Sequence, residues 1–378
     1  MAGQVTEHPA RASAPEYQGA LGSLSVNASL PEVLDRGVRE LRAAEEAGDA
    51  REAARCGLAV AEACRRLGRV EDADRAWKAS FRAARSAGHE GAMAWALWSG
   101  GTLARQRGAL RLAYRLLGLA AEAGERGGDV VVRGYSLAGL AETGRIQGDY
   151  EAVGRLHEQL LAEARRRGEA RHTVWALEGI AQMHRNTGSY DRALALFEEA
   201  ADTAARAEDR RGWAWALRGI ADVVSVRDGD VERALSLLTR AEEACREVRL
   251  AGALAYNHKM RGNVLYRAGR YAEARELYAR ALEEFRAMEE PRGAALSRLG
   301  LVKADARLGR DAAHTSAELA ALRTTLDRIG LRHARNMVDK AAAELGLGPL
   351  PETAGEPGTV LADVGEAALR KADVEGLR

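Results

Sequence analysis

Proline is nearly missing from the middle of this 378-residue chain. Between residues 32 and 348 the single proline is Pro291, and a proline in a helix interior costs about 3 kcal/mol. Long helices are therefore possible throughout this region. Pro291 follows Glu289 and Glu290, where we expect it in the first turn of a helix, a position that loses no hydrogen bond.

A surplus of charge of one sign is also missing. The chain carries 56 basic and 55 acidic residues, so no overall field directs it to nucleic acid or to an anionic membrane. Only five of the basic residues are lysines. The excess of arginine, alanine and glycine indicates the codon bias of a GC-rich genome, and we expect a bacterial source.

Cysteine is scarce, and the chain has three: Cys56, Cys64 and Cys245. Cys56 and Cys64 lie on one predicted helix, roughly 12 Å apart along its axis, which is too far for a disulfide. We expect buried, reduced thiols. No apolar run reaches the length of about 18 residues that spans a membrane, and the first residues lack the pattern of a secretory signal. We therefore expect a cytoplasmic protein.

Patterns of catalytic and cofactor sites are missing as well. The eight histidines contain no pair four residues apart, and no set of Cys and His has the spacing of a zinc site. The sequence contains neither a P-loop nor a strand-anchored G-x-G-x-x-G motif. We expect no metal, no cofactor and no enzymatic activity.

What the sequence does contain is a long repeat marked by glycine. Segments such as G-D-Y-E-A-V and G-S-Y-D-R-A recur every 40 or 41 residues. They begin at Gly68, Gly108, Gly148, Gly188, Gly229, Gly269 and Gly309. A fixed period in this range indicates a stacked array. Each unit carries two helix-periodic segments, and the first ends at the glycine, which can adopt the left-handed conformation that closes a helix.

Small and large apolar residues also recur at fixed positions. In the fourth unit the small residues are Ala181, Ala193 and Ala200, and the larger ones are Leu177, Ile180, Tyr190 and Phe197. Two units later the same positions hold Gly262, Ala274 and Ala281, with Tyr271 and Tyr278. This pattern resembles the tetratricopeptide repeat (TPR) in its forty-residue form. The resemblance covers residues 50–328 and is weakest in the last unit, where His314 replaces an alanine.

The resemblance implies an all-α, right-handed superhelical solenoid of about seven helix-turn-helix repeats. We expect this solenoid over residues 30–346, with capping helices at about 31–46 and 331–345. Residues 1–29 have little periodicity and are expected to be disordered. Residues 347–378 are expected to form a linker, rich in proline and glycine, and a short C-terminal helix.

An aromatic residue occupies one position of five successive units. V-W-A-L-E-G-I-A at 174–181 returns as A-W-A-L-R-G-I-A at 214–221. The position holds Trp95, Tyr135, Trp175, Trp215 and Tyr256, and Trp98 lies one turn after the first of them. In the family that this chain resembles, this face of the first helix lines a concave groove. The rings could form the groove wall and hold a ligand, or they could pack on the next repeat and stiffen the superhelix.

Charged and polar residues accompany these rings on the same predicted face. They are Arg105, Arg145, Glu178, Gln182, Arg185, Arg218 and Asp222. Guanidinium groups can bind carboxylate or phosphate groups of a bound segment. The alternative is a solvated surface of weak salt bridges.

The helix predicted at 255–266 is the least repeat-like. Its groove positions hold Tyr256, Lys259, Asn263 and Tyr266. Lys259 and Asn263 are similar to the carboxylate clamp by which some relatives hold the C-terminus of a partner. Asp222 stands where such a clamp requires an amide or a base, so the clamp would be incomplete.

We therefore expect a non-catalytic scaffold or adaptor that recognises a protein or peptide segment with apolar anchors and some acidic groups. Neither nucleic acid nor a membrane is an expected partner. One alternative is a sensor or accessory protein that encloses a small molecule or a signal peptide in the same groove. Another is an enzyme with a site around residues 255–266, where His258 joins the tyrosines and the lysine. A homo-oligomer formed through the end repeats is also open.

Overall fold

The computed structural model describes residues 30–147, 150–328 and 331–350. Within these ranges it contains sixteen helices and no strand. They are α1 (Leu30–Glu46), α2 (Ala50–Arg66), α3 (Val70–Ser86), α4 (Glu90–Gln106), α5 (Leu110–Arg126), α6 (Val130–Gln147), α7 (Tyr150–Arg167), α8 (Ala170–Asn186), α9 (Tyr190–Arg206), α10 (Arg210–Arg227), α11 (Val231–Glu247), α12 (Ala251–Arg267), α13 (Tyr271–Ala287), α14 (Pro291–Arg307), α15 (Ala312–Arg328) and α16 (Arg332–Glu344). The predicted segment 1–29, Gly148, and residues 351–378 of the predicted linker and C-terminal helix lie outside the described residues.

Consecutive helices pack in pairs, and the pairs stack along the chain. Seven of them, from α2 and α3 to α14 and α15, cover residues 50–328, so the predicted all-α array of seven repeats is confirmed. Helices α1 and α16 precede and follow the array at the positions predicted for capping helices. Pro291 is the first residue of α14, as predicted. No helix in the described part of the chain is long and apolar enough to cross a membrane.

In the turns that the structure describes in full, a residue with left-handed backbone conformation recurs between successive helices about every twenty residues. Gly188 has φ 84°, and the N–H of Ser189 donates to the carbonyl of His184 at 2.8 Å, which closes the end of α8. The glycine period of the sequence marks only alternate turns. In three of the other turns a non-glycine residue takes this conformation: Glu208, Arg249 and Glu289, with φ of 54°, 51° and 48°.

Small residues lie where neighbouring helices approach each other most closely, within a repeat and between repeats. Ala181, Ala193 and Ala200 are completely buried, as their positions in the repeat predict. Gly219 on α10 faces Phe197 on α9, and a Cβ atom at Gly219 would lie 2.4 Å from the ring. Such contacts leave room for the large apolar side chains around them, which fill the core between the repeats.

The even-numbered helices form the inner wall of the array. From α2 to α16, each even-numbered helix packs on the next one, whereas the main contacts of the odd-numbered helices are with their neighbours in sequence. Helix α16 also packs against α6, more than 180 residues away in sequence. The concave side of the array is therefore covered in part by its own last helix.

Turns from the two ends of the array also meet. Arg107, in the turn after α4, forms an ion pair with Glu289 at 2.9 Å. The side chain of Met288 lies against Gly68, and Pro291 lies against Gly108. These contacts bring the turns after α2 and α4 onto the turn before α14. The solenoid therefore closes on itself around its concave side.

Candidate functional site

A partly enclosed cavity of about 280 Å³ lies on the concave side, bordered by inner helices from α2 to α16. Its volume is just below the range of roughly 300–1,000 Å³ typical of ligand pockets. Twelve of the sixteen predicted groove residues line it. They are Arg105, Arg145, Trp175, Glu178, Gln182, Arg185, Trp215, Arg218, Asp222, Tyr256, Lys259 and Asn263.

The other four predicted residues do not line this cavity. Trp95, Trp98 and Tyr135 are buried and form one ring cluster, with centroids 5.4–5.6 Å apart. Trp95 is only 2% exposed, and its Nε1 donates to Asp129 Oδ2 at 2.8 Å. Tyr266 donates from its hydroxyl to Glu344 on α16 at 2.8 Å. The aromatic position therefore packs inside the wall on α4 and α6, and borders the cavity on α8, α10 and α12.

Most of the arginines that recur at one position of the repeat are paired with buried carboxylates. Burial alone would raise the pKa of Glu142, but Arg145 and Arg105 outweigh it and hold the pKa at about 2. Asp222 pairs with Arg185 and, at 2.9 Å, with Arg267. In this part of the array the charges of the wall are neutralised within the protein.

Four further cations lie on α10, α12 and α14, and we call them the cation cluster. Its members are Arg211, Arg218, Lys259 and Arg292, all of which line the cavity. Among the residues that the structure describes, none of the four has a carboxylate within the 4.0 Å of an ion pair. Within the described part of the chain, the cluster is therefore positively charged without an ion-pair partner.

The rings of Trp215 and Tyr256 contact the three arginines of the cluster. The Arg218 guanidinium carbon lies 4.6 Å from the centroid of the Trp215 ring and 5.5 Å from that of Tyr256. Arg211 lies 5.6 Å from the Trp215 ring, and Arg292 lies 5.9 Å from the Tyr256 ring. Each ring is thus flanked by two guanidinium groups. The electron-rich face of an aromatic ring attracts such cations.

Burial acts against the charged forms in this part of the cavity. It lowers the pKa of Lys259, which is 8% exposed, to about 7, and it lowers the pKa of Arg211 to about 10. Burial also raises the pKa of Glu178 well above its ordinary value and raises that of Glu290. Burial thus weakens the tendency of both carboxyl groups to carry negative charge beside the cluster, most strongly for Glu178.

Polar atoms at the cavity are also left without partners. Within the described residues, Trp215 Nε1 and Glu178 Oε1 are buried and have no hydrogen-bond partner. The lining contains nine arginines and Lys259 against four acidic residues, Glu142, Glu178, Asp222 and Glu290. The site therefore offers a surplus of positive charge and of hydrogen-bond donors beside the Trp175 and Trp215 rings.

The residues of the alternative site at 255–266 do not converge. His258 is buried on the far side of α12, where its Nδ1 lies 2.7 Å from Glu284 Oε2, and Tyr266 is held by Glu344. Asn263 accepts a hydrogen bond from the Tyr278 hydroxyl at 2.9 Å. Of this group, Tyr256, Lys259 and Asn263 border the cavity.

Several lining residues were missed by the sequence interpretation. Arg211 and Arg292 occupy one position of the repeat, two units apart, and their spacing of 81 residues was the available signal. His333 and Met337 reach the cavity from α16. No repeat signal marks them, because α16 lies outside the seven units.

Comparisons with known proteins agree with this architecture. Two tetratricopeptide repeat family models match residues 172–247 and 255–287, and no curated protein matches the sequence significantly. One similar solved structure is a Rap protein complexed with competence and sporulation factor. It is 14% identical, the match covers 84% of this chain and 97% of that one, and the TM-score is 0.53.

Two other similar structures are apo forms. The quorum sensor NprR from B. thuringiensis is 12% identical, with 95% and 97% of the two chains covered and a TM-score of 0.49. RapI is 12% identical, with 88% and 96% covered and a TM-score of 0.45. Such low identities support the fold alone. The two family models identify tetratricopeptide repeats over residues 172–247 and 255–287, within the array of seven stacked helix pairs.

Proposed function

We propose that this protein is a non-catalytic recognition module that binds a segment of a protein or peptide partner in the concave cavity. The segment would present acidic groups and at least one apolar side chain. The observation that carries the proposal is the cation cluster in the lining, whose four members have no ion pair among the described residues. Tetratricopeptide repeats are used for binding through a curved surface, which agrees with a role without catalysis.

Charge balance supports an acidic ligand. Like charges brought together in a partly enclosed, low-dielectric cavity repel each other more strongly than they do in water. The cation cluster has no carboxylate within ion-pair distance among the described residues, and burial disfavours the charged form of Lys259. An anionic ligand would relieve this repulsion, and a neutral or cationic ligand would not.

The apolar part of the lining supports a ligand with an apolar anchor. The Trp175 and Trp215 rings border the cavity, together with Phe285, Leu296 and Met337. Aromatic side chains supply large contact areas, and they frequently dominate the energetics of recognition sites. The solved complex of a Rap protein with competence and sporulation factor shows that a protein of this fold can hold a ligand.

The small volume favours a second candidate, in which the ligand is a small, flat, anionic molecule. About 280 Å³ admits only a short part of a peptide unless the cavity widens. The contacts between Arg107 and Glu289 and between Gly68 and Met288 would have to loosen for a longer segment to enter. A small anion needs no such change.

A selection from a displayed peptide library, run on the full chain, tests the proposal. The variants are the Trp175→Ala, Trp215→Ala double change and, as a matched control, Trp213→Ala. Trp213 is also on α10 but does not line the cavity, and Arg240 lies over its ring at 5.1 Å. We expect acidic peptides with an aromatic or aliphatic residue to bind the wild type and the control, and to lose binding to the double variant.

Enrichment of neutral or basic peptides, or equal binding to the double variant, would contradict the proposal. A parallel thermal-shift screen with small organic anions tests the second candidate, since a ligand that binds the folded state raises the melting temperature by mass action. Stabilisation by small anions without any enriched peptide would replace the first candidate with the second.

A further inference from the structure

We infer that the cation cluster is a subsite for one anionic group of the ligand, either a carboxylate or a phosphoryl group, held between the rings of Trp215 and Tyr256. This inference rests on the proposed function, because the ligand would enter the same cavity. The inference specifies where in the cavity the acidic group of the ligand binds and which residues bind it.

The positions of the cations in the repeat bring them together. Arg218 and Lys259 are equivalent residues of successive units, 41 residues apart, on the adjacent inner helices α10 and α12. Arg211 and Arg292 share another position on the same wall. Because two guanidinium groups flank the Trp215 ring and two flank the Tyr256 ring, with Arg218 common to both, the cations surround one region of the cavity.

The chemistry of the free groups points to an acceptor rich in oxygen. Lys259 is more than nine-tenths buried, and among the described residues it has no hydrogen bond or ion pair. Trp215 Nε1 is a buried donor that likewise lacks an acceptor in the described part of the chain. Arginine, lysine and indole groups only donate hydrogen bonds. A carboxylate or phosphoryl group would accept from several of them at once.

The same wall shows how the protein treats cations that it neutralises itself. Arg185 and Arg267 share Asp222, and Arg105 and Arg145 share Glu142. The cation cluster lies among these pairs, and within the described residues no carboxylate comes within 4.0 Å of its cationic nitrogens. Its neighbour Glu178 is buried with one oxygen unpartnered in the described structure, and its raised pKa favours the neutral form. We therefore expect an anionic group of a ligand to supply the negative charge that pairs with these cations.

Calorimetric titration of the full chain at pH 6.5 tests the inference, since Lys259 is then mostly protonated. The probes are orthophosphate, tetraglutamate with blocked ends, and tetraglutamine with blocked ends, at constant ionic strength. The variants are Arg218→Gln and Lys259→Met. The matched control is Arg240→Gln, because Arg240 also lies over a tryptophan ring of α10 but outside the cavity.

We expect one of the anionic probes to bind the wild type and tetraglutamine not to bind. Each cluster variant should bind that probe about tenfold more weakly or worse, the loss typical of a charge-assisted hydrogen bond, while Arg240→Gln keeps wild-type affinity. Binding of orthophosphate assigns a phosphoryl group, and binding of tetraglutamate assigns a carboxylate. Absence of binding by both anions, or equal affinity in the cluster variants, overturns the inference.

Two results separate this inference from the proposed function. If selected peptides bind and depend on Trp175 and Trp215 but are unaffected by Arg218→Gln and Lys259→Met, the subsite is wrong and the recognition module stands. If an anionic probe binds in a cluster-dependent way but no peptide is selected, the subsite stands and the peptide-binding proposal fails. Both cluster variants should melt at or above the wild-type temperature without ligand, which excludes unfolding as the cause of lost binding.

Discussion

Replacing Lys259 with methionine should stabilise the unliganded protein. Burial lowers the pKa of Lys259 from 10.5 to about 7, and each pKa unit corresponds to roughly 1.4 kcal/mol. Holding the ammonium group charged in the cavity therefore costs up to about 5 kcal/mol by this conversion. Methionine keeps most of the apolar stem and removes the charge. We expect the free energy of unfolding to rise by about 1–4 kcal/mol, the range seen when buried charges are replaced with apolar side chains of similar volume.

The pH dependence of stability gives this prediction a second readout. The pKa of Lys259 is lower in the folded protein than in the unfolded chain, so between about pH 7 and pH 10.5 the unfolded chain binds more protons. Lys259 therefore makes the wild type more stable as the pH rises through this window. Below about pH 7 the lysine is charged in both states and contributes no slope. The charges that act on it are those of Asp222, Arg292, Arg185 and Arg218.

Urea denaturation followed by circular dichroism, at intervals from pH 6.5 to pH 9, measures both effects. The difference between Lys259→Met and the wild type should be largest at pH 6.5 and shrink as the pH rises. Lys303→Met is the control, because Lys303 is paired with Glu344 at 2.6 Å and its removal should not stabilise. A Lys259→Met variant that is less stable than the wild type at pH 6.5, or that keeps the wild-type pH slope, would refute the reasoning.

Three further changes test the packing and the buried pairs. Gly219→Ala should destabilise the protein by about 1–3 kcal/mol, because the new methyl group would lie 2.4 Å from the Phe197 ring. Glu62→Gln should cost about 3–5 kcal/mol, because Glu62 is completely buried between two arginines that would lose their counter-charge. Trp95→Phe should cost about 1–3 kcal/mol through the lost bond to Asp129 and leave ligand affinity unchanged, since Trp95 does not line the cavity.

Each of these predictions has a direct comparison. Gly118 is helical, and a methyl group added to its Cα would have nothing within 4 Å, so Gly118→Ala should be neutral or stabilising by up to about 1 kcal/mol; equal losses at both glycines would contradict the packing argument. Thermal unfolding of Glu62→Gln that matches the wild type would show that Arg65 and Arg66 do not depend on that carboxylate. Weaker ligand binding by Trp95→Phe, with the fold intact, would place Trp95 in the site.

The sequence was sufficient for the fold because the repeat is local. The glycine period and the small residues at Ala181, Ala193 and Ala200 report contacts between neighbouring helices, and these contacts define the seven pairs. The left-handed turns at Glu208 and Arg249 could not be predicted in the same way, because no glycine marks them, although their φ values are positive.

The cavity was less predictable from the sequence. Its shape depends on the small rotation of each repeat relative to the one before it, summed along the array. The aromatic position identified Trp175, Trp215 and Tyr256, which border the cavity. It could not distinguish them from Trp95 and Tyr135, which pack inside the wall. Equivalent positions of a repeat become different environments once the array curves onto itself. That Lys259 has no ion pair among the described residues is likewise visible only in the folded array, where charged groups of other repeats surround it.

The meeting of the turns at Arg107 and Glu289 limits how the number of repeats can change. An open solenoid gains or loses a unit at little cost, because each unit contacts only its neighbours. In this protein an added or deleted unit would rotate one side of the junction away from the other, separating Met288 from Gly68 and Pro291 from Gly108. Duplication of a unit would therefore open the cavity. We therefore expect variants of this protein to tolerate substitutions within the seven units. Insertion or deletion of a whole unit should be poorly tolerated.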